Sequence, residues 1–334
     1  MFERLRVADE RDLQRFLAAP DLPALDAAAV ARAHADASWL LLAGDAVVAR
    51  CSLWWTAAPR YLDHQVGLLG HYGAVSERAA AELLRLACAE LASQGCTLVI
   101  GPMDGSTSQR YRFVTERGAE APFFLEPENP DAYPQQLVSA GFTPLAQYYS
   151  SLQDSLEVRD PRLPDIAARL AVEGVGIRPL DLDHFDAELR RIYTVVAPSF
   201  SGNFLATPIA EEEFIEQYAQ VRPFVRPELV LLAEREGETI GFMFVLPDWL
   251  QAQRGEAVTT VIVKTLAVAP AYAGRGLATL LSARVQDAAR QLGYKRAIHA
   301  LMHERNTSRR ISSRFAGHII RRYTLFARPV AGTP

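Results

Sequence analysis

The stretch LAVAPAYAGRGLATLL, residues 266–281, decides the fold. A strand-like apolar run ends at Pro270. Gly274 and Gly276 then flank Arg275 at the entrance to a segment whose apolar residues recur at helical spacing. A turn needs one glycine; two around a single residue mark a loop whose backbone amides approach something closely. Unpaired amides at a helix N-terminus point outward and the helix dipole favours an anion there, so strand, short loop, helix is an arrangement that binds phosphate. The P-loop pattern fails because no lysine follows, and G-x-G-x-x-G fails at Thr279. On these residues alone a plain structural turn stays open.

The surroundings repeat. WLLLAGDAVVARCSLWW (39–55) is two apolar runs around Gly44-Asp45, a hairpin signal, and ELVLLAEREGETIGFMFVLPDW (228–249) repeats the plan with Gly237 in its turn. Each hairpin leads to another strand and then an amphipathic helix. Leu84, Ala87, Cys88 and Leu91 form one stripe; Leu277, Leu281, Val285, Ala288 and Leu292 form the other. Both helices stop at a glycine, Gly95 and Gly293, and run into apolar strands, CTLVIGPM and YKRAIHALM. The recurrence is far longer than a solenoid period, so it predicts two duplicated α/β (α+β) domains. Residues 1–152 form the first, 153–174 a connector with two prolines, and 175–334 the second.

The chain has 334 residues, 49% hydrophobic and 22% charged, with net charge −4, an ordinary globular composition that does not favour bulk electrostatic binding of nucleic acid. The opening MFERLRVADERDLQRF has no apolar signal region, and no run reaches the ~18 apolar residues of a membrane span. A cytoplasmic location, no membrane partner and buried reduced thiols at Cys51, Cys88 and Cys96 are expected.

The sequence 266–281 resembles the pyrophosphate loop of the GNAT superfamily of acyl-CoA-dependent N-acyltransferases. Leu266, Val268 and Pro270 fit that family's strand, and Gly274, Arg275, Gly276 and Ala278 fit its loop, while Ala271 stands where Gln or Arg is usual. Asn306 and Gly317 keep the family's downstream spacing, with Ser313 in the usual Tyr position. The first half looks like a degenerate copy: it keeps the Gly141-Phe142 pair, but its loop position reads GAVSERAAAELL with Gly73 alone. The resemblance implies two tandem GNAT-like domains, each a mixed, mainly antiparallel sheet with splayed central strands flanked by helices. It implies one acetyl-CoA (or other acyl-CoA) site, in the second half, formed by Leu266, Ala267, Val268, Ala273, Gly274, Arg275, Gly276, Leu277, Ala278 and Asn306.

The implied reaction moves an acetyl or short acyl group to a primary amine of a small molecule or amino acid. Pantetheine lies between strands 259–268 and 296–304, like an added strand. The amine must lose its proton before attack, and an acid can serve the departing thiolate. Ser313, His303 and Glu304 are the candidates for these roles. His299 and His303 share a strand face roughly 13 Å apart, which does not suit a metal, and none is expected. Lys264, sharing a face with Ile262 and Leu266, reads as a solvated or paired lysine, and Tyr323 reads as core. The segment 104–134 carries Asp104, Glu116, Glu120, Glu126 and Glu128, a set expected to cover a cleft and attract a cationic amine, with packing between domains the equal alternative. Arg305, Arg309, Arg310, Arg314, Arg321, Arg322 and Arg328 suit CoA phosphates; they also suit RNA, which keeps an aminoacyl-tRNA-dependent tandem transferase as the alternative, beside a non-catalytic acyl-CoA sensor. The chain is expected as a monomer, a pseudo-dimer of its domains, or a homodimer.

Overall fold

The computed structural model describes residues 2–157, 160–304 and 317–331. Asn306, Ser313 and the arginines at 305, 309, 310 and 314 lie outside these described residues. The first half runs β1 (Glu3–Arg6), α1 (Glu10–Leu17), α2 (Ala27–Arg32), β2 (Ala37–Ala43), β3 (Ala46–Trp54), β4 (Val66–Ala74), α3 (Glu77–Ser93), β5 (Leu98–Gly101), β6 (Phe113–Glu116), α4 (Ala132–Ser139) and β7 (Thr143–Gln153). The second runs α5 (Leu163–Val172), β8 (Gly176–Pro179), α6 (Phe185–Phe200), α7 (Glu211–Ala219), β9 (Val230–Arg235), β10 (Glu238–Pro247), α8 (Trp249–Gln253), β11 (Thr260–Val268), α9 (Leu277–Gln291), β12 (Arg296–His303) and β13 (His318–Pro329).

The strands form one sheet in the order β1-β2-β3-β4-β5-β13-β7-β12-β11-β10-β9-β8, with β6 against β13. Among the described strands only β4/β5 and β11/β12 pair in parallel; the other pairs are antiparallel. The fold is therefore the mixed, mainly antiparallel sheet flanked by helices that the resemblance implies. Its order reads the same outward from the β13–β7 pair in both directions.

That centre is an exchange. β7, the last strand of the first half, pairs with β12 of the second from Ala297↔Gln153 to His303↔Tyr148. β13, the last strand of the chain, pairs with β5 of the first half from Phe326↔Gly101 to Pro329↔Leu98. The two exchanged strands pair with each other from His318↔Leu152 to Ala327↔Thr143. The sheet thus runs unbroken past the expected boundary at 152, and each half is closed by a strand of the other.

The helices follow from their apolar stripes. α3 buries Leu83, Leu84, Ala87, Cys88 and Leu91 over β3 and β4, and α9 buries Leu277, Leu281, Val285 and Ala289 over β10 and β11. Each large side chain so buried contributes about 1.5–3 kcal/mol. α6 covers the opposite face of β10 and β11. Cys51, Cys88 and Cys96 are free and buried. Among the described residues no helix is long and apolar enough to cross a membrane.

The exchange has a direct test. Segments 2–157 and 160–331 expressed separately should show no cooperative thermal unfolding, since each lacks the strand that closes its sheet. Expressed together they should copurify as one complex with a single transition. Two independently folding monomers would show that the shared strands are dispensable.

Candidate active site

β11 and β12 pair from Thr260↔Arg296 to Val263↔His299, and the ladder stops there. β11 stays on β10 up to Gly241↔Val268, whereas β12 turns toward β7 through Met302↔Tyr149 and His303↔Tyr148. Two irregularities make the strands part. The β10/β11 register jumps between Phe244↔Thr265 and Val245↔Val263, leaving Lys264 as the extra residue of a bulge. On β12 the register slips between His299 and Met302, where Leu301 has φ +60 and its N–H donates to Ser150 Oγ at 3.1 Å.

Beyond β11, Pro270–Tyr272 make one tight helical turn, and the chain enters α9 through Gly274 at φ +76 and Gly276 at φ +83. A Cβ on Gly274 would meet no atom within 4 Å, so the loop is open on that side. Gly276 is the helix cap and supplies no side-chain hydrogen bond to the first turn. Leu266, Ala267 and Val268 end β11, Ala273 precedes the first glycine, and Leu277 and Ala278 begin α9, so the sequence-derived residues other than Asn306 are contiguous around one cradle. Arg275 turns away from it: Nη1 lies 3.3 Å from Glu173 Oε2 on α5, and its carbonyl accepts from Arg169 at 2.5 Å. A Cβ on Gly276 would lie 3.0–3.1 Å from the Ile166 side chain, so substitution there also displaces α5.

The corresponding place in the first half is filled by its own chain. β4 and β5 pair up to Leu68↔Ile100, after which Met103 N–H donates to Leu69 O at 2.9 Å and His71 N–H to Asp104 Oδ1 at 2.6 Å. A Cβ on Gly70 would sit 2.3 Å from Met103 O. At the helix, Ser76 Oγ accepts from Ala79 N–H at 3.2 Å, so a side chain uses an amide that the cap of α9 leaves without a side-chain partner.

The parted strands open into a cavity of about 1940 Å³. Met243 and Ser282 line it from the α9 side of the sheet and Phe244 from the α6 side, so the opening passes through the sheet. First-half segments around Tyr111 and Glu126, and β7 from Pro144 to Tyr148, complete the wall. His303 faces this space, its ring 4.9 Å from that of Tyr148 and 5.6 Å from that of Phe204. Glu304 lies at the rim, 3.2 Å from Arg322 Nη1. Burial pushes His299 down to about 4, so its ring is neutral near pH 7.

Three comparisons bear on this geometry. The model of the Acetyltransferase (GNAT) family matches residues 189–312, the span that includes the splay and the glycine loop. Residues 189–312 therefore carry a GNAT-family domain. A tandem GNAT protein from the clavulanic acid biosynthesis pathway shares the fold over the whole of both chains at 13% identity, TM-score 0.50. A GCN5-related N-acetyltransferase from Anabaena variabilis shares it over 98% of this chain and 73% of its own, at 8% identity and TM-score 0.54. In sequence, a bacterial ceramide synthase of Caulobacter vibrioides is 25% identical over 190 residues, covering 54% of this chain and 48% of the relative. The chain therefore spans about half the length of that relative.

Within this GNAT site several residues take positions that the pattern did not give. The bulge interrupts the alternation that paired Lys264 with Leu266: Leu266 packs against the α9 cluster, and both residues border the cavity. Burial and the adjacent charge of Arg112 push Lys264 down to about 8, against the opposing pull of Glu126. The acidic set in 104–134 does not present free charge to an amine. Glu116 and Glu304 flank Arg322, Glu120 holds Arg296, Glu128 holds Arg117, and Asp104 faces His71. Nor is this segment structureless, since β6 lies within it and pairs with β13.

Glu126 is its anchor. Its carboxylate accepts from Arg321 Nε at 2.9 Å and from Tyr323 OH at 2.6 Å, and the Glu126 and Arg321 side chains are each 2% exposed. Tyr323 OH also meets Ser150 Oγ at 3.0 Å, the atom that holds Leu301 at the splay. Losing one partner of a buried ion pair costs about 3–5 kcal/mol because the other charge is left uncompensated. Glu126→Gln should accordingly lower unfolding stability by about that amount in urea titration. Adding Arg321→Met should recover much of the loss, and a single variant within 1 kcal/mol of the parent (roughly the value of an exposed pair) would contradict the anchoring role.

Proposed function

We propose that the chain is an N-acyltransferase that moves an acyl group from CoA to an amine. The observation that carries this is the parting of β11 and β12 beside the cavity, with the glycine loop following directly from the end of β11. The cradle suits a pyrophosphate: Gly274 leaves open approach, Gly276 places the chain in the left-handed region, and the helix start lacks a side-chain cap. Leu266, Ala267, Val268, Ala273, Gly274, Gly276, Leu277 and Ala278 would hold acyl-CoA, which supplies a thioester carbonyl. The unpaired edges of the parted strands offer the backbone groups for its pantetheine arm.

The acceptor enters from the cavity. Its nitrogen forms the new N–C bond, the C–S bond breaks, the thiolate leaves with CoA, and the nitrogen's proton goes to Lys264 Nζ. Lys264 suits this better than Glu304, which is committed to Arg322, and better than His299, which is buried at Gln153. At about 1940 Å³ the cavity exceeds the ~300–1,000 Å³ of common ligand sites, and Phe200, Phe204, Phe214 and Phe224 are in its wall. The acceptor therefore carries a large apolar portion, in keeping with similarity to a ceramide synthase.

The test is thiol release from acetyl-, octanoyl- and palmitoyl-CoA with a panel of amines, alongside calorimetric titration of CoA. Stoichiometry should be near one per chain, because the first-half splay is filled. Absence of both thiol release and CoA binding would overturn the proposal. Gly274→Val, whose side chain would project into the open cradle, should weaken CoA binding about 10-fold or more, with the melting temperature within a few degrees of the parent.

The pH profile tests the base. Lys264 is charged below about 8 and neutral above it, so kcat/KM should rise through about pH 8. Lys264→Met should lower kcat/KM by about 10²- to 10⁴-fold and leave only the limb set by the amine's own ionisation. An unchanged limb in that variant would place the base elsewhere, with His303 the next candidate in the cavity.

A further inference from the structure

Arg112 is an unusual group to find in the wall of an apolar chamber. It is 7% exposed, and its guanidinium carbon lies 4.0 Å from the centre of the Tyr111 ring and 4.1 Å from that of Tyr148. Its Nε and Nη1 are buried without a hydrogen-bond partner. Among the described residues no carboxylate forms an ion pair with it. The residue also has φ +67, the left-handed region that side-chain-bearing residues rarely adopt. Aromatic faces attract a guanidinium but leave its in-plane N–H donors unmet. A buried cation with unmet donors is held at a cost unless a ligand completes it.

The charge around it points to the sign of that ligand. Of the carboxylates lining the cavity, Glu126 is taken by Arg321 and Tyr323, Glu128 by Arg117, and Glu304 by Arg322. Lys264, the neighbouring cation, has no hydrogen-bond or ion-pair partner among the described residues and is the proposed proton acceptor, which works when neutral. The charges left facing the chamber are thus cationic: Arg112, the exposed Arg110 and, below about pH 8, Lys264. We propose that the acceptor is an amphiphilic amine bearing a carboxylate, an amino acid or a derivative with a free acid, and that Arg112 binds that carboxylate. Arg112 is the buried guanidinium, and its planar fork matches the two oxygens of a carboxylate. This deepens the acyltransfer reading and rests on it for the role of the amine, while the anion site itself is independent of turnover.

Binding of products separates the two. N-octanoyl-phenylalanine carries the carboxylate and N-octanoyl-phenethylamine lacks it; both are titrated calorimetrically into the full chain, with N-octanoyl-ethanolamine phosphate as the phosphate arm. The carboxylate product should bind about 10-fold or more tightly than the neutral one, the gain of a charge-assisted hydrogen bond. Arg112→Gln should remove that preference while leaving the neutral ligand's affinity within a few-fold, and Arg112→Lys should keep part of it. Melting curves check that both variants fold. A structural role alone would weaken both ligands equally in both variants. Equal affinities in the parent, no binding of either ligand, or tighter binding of the phosphate would each overturn the proposal. Failure of CoA binding and thiol release with the carboxylate preference intact would instead overturn acyl transfer and leave the anion site standing.

Discussion

β7 and β13 lie side by side at the middle of the sheet, and each belongs by sequence to the half that the other completes. A β-strand edge buried without a partner leaves N–H and C=O groups unsatisfied, so neither half can bury its own edge at β5 or β12 until the whole chain is present. Much of the remaining architecture depends on that pairing. β6 is positioned by β13, and the first-half segment that carries Glu126 is drawn over the second half's splay by Arg321 and Tyr323, both on β13. Residues Thr143–Gln153 are at once a core strand of the sheet and a wall of the cavity. Lengthening the chain between the halves would not separate them.

The two halves show how the same scaffold is open in one copy and shut in the other. In both, a parallel pair parts after a few residues and a helix begins near the end of the inner strand. The first half closes its gap with backbone, Met103 to Leu69, and caps its helix with Ser76. The second displaces Lys264 and Leu301 by bulges on either side of its gap and begins its helix at a glycine. The difference between a binding slot and a filled sheet is therefore two local irregularities and one cap.

What was legible in the sequence was what is local. The glycines of 274–276, the stripes of α3 and α9 and the hairpins around Gly44 and Gly237 are patterns within a single element or turn, and they carried the resemblance to the superfamily. The strand exchange was not legible, because β7 and β13 are both apolar strands at the end of a half and pattern does not say which neighbour an edge accepts. Lys264 was misplaced for a related reason: strict alternation assigns faces only while the ladder is regular, and the bulge at Lys264 is set by the register of β10. Arg112 gave no signal. In QRYRFVTE it reads as one more surface arginine, and only the fold brings Tyr148 from β7 onto its second face. The acidic residues of 104–134 misled in the opposite direction, since the arginine partners of Glu120 and Glu126 lie 176 and 195 residues away and that of Glu128 lies 11 residues away in the same loop.

The first half helps to build the chamber although its own gap is filled. The chamber needs walls that an isolated second half lacks, and the first half contributes β7, Arg112 and the segment around Glu126. It further contributes contacts to the far wall, where Gln217 of α7 donates to Ser108 O at 2.6 Å and Gln109 to Glu213 at 3.3 Å. With its own gap filled, the first half is rigid where it must present a fixed surface. The second half keeps its strands parted, and the gap opens beside that surface. Closure of one gap thus leaves a chamber whose walls come from both halves, while β7 and β13 tie those walls together.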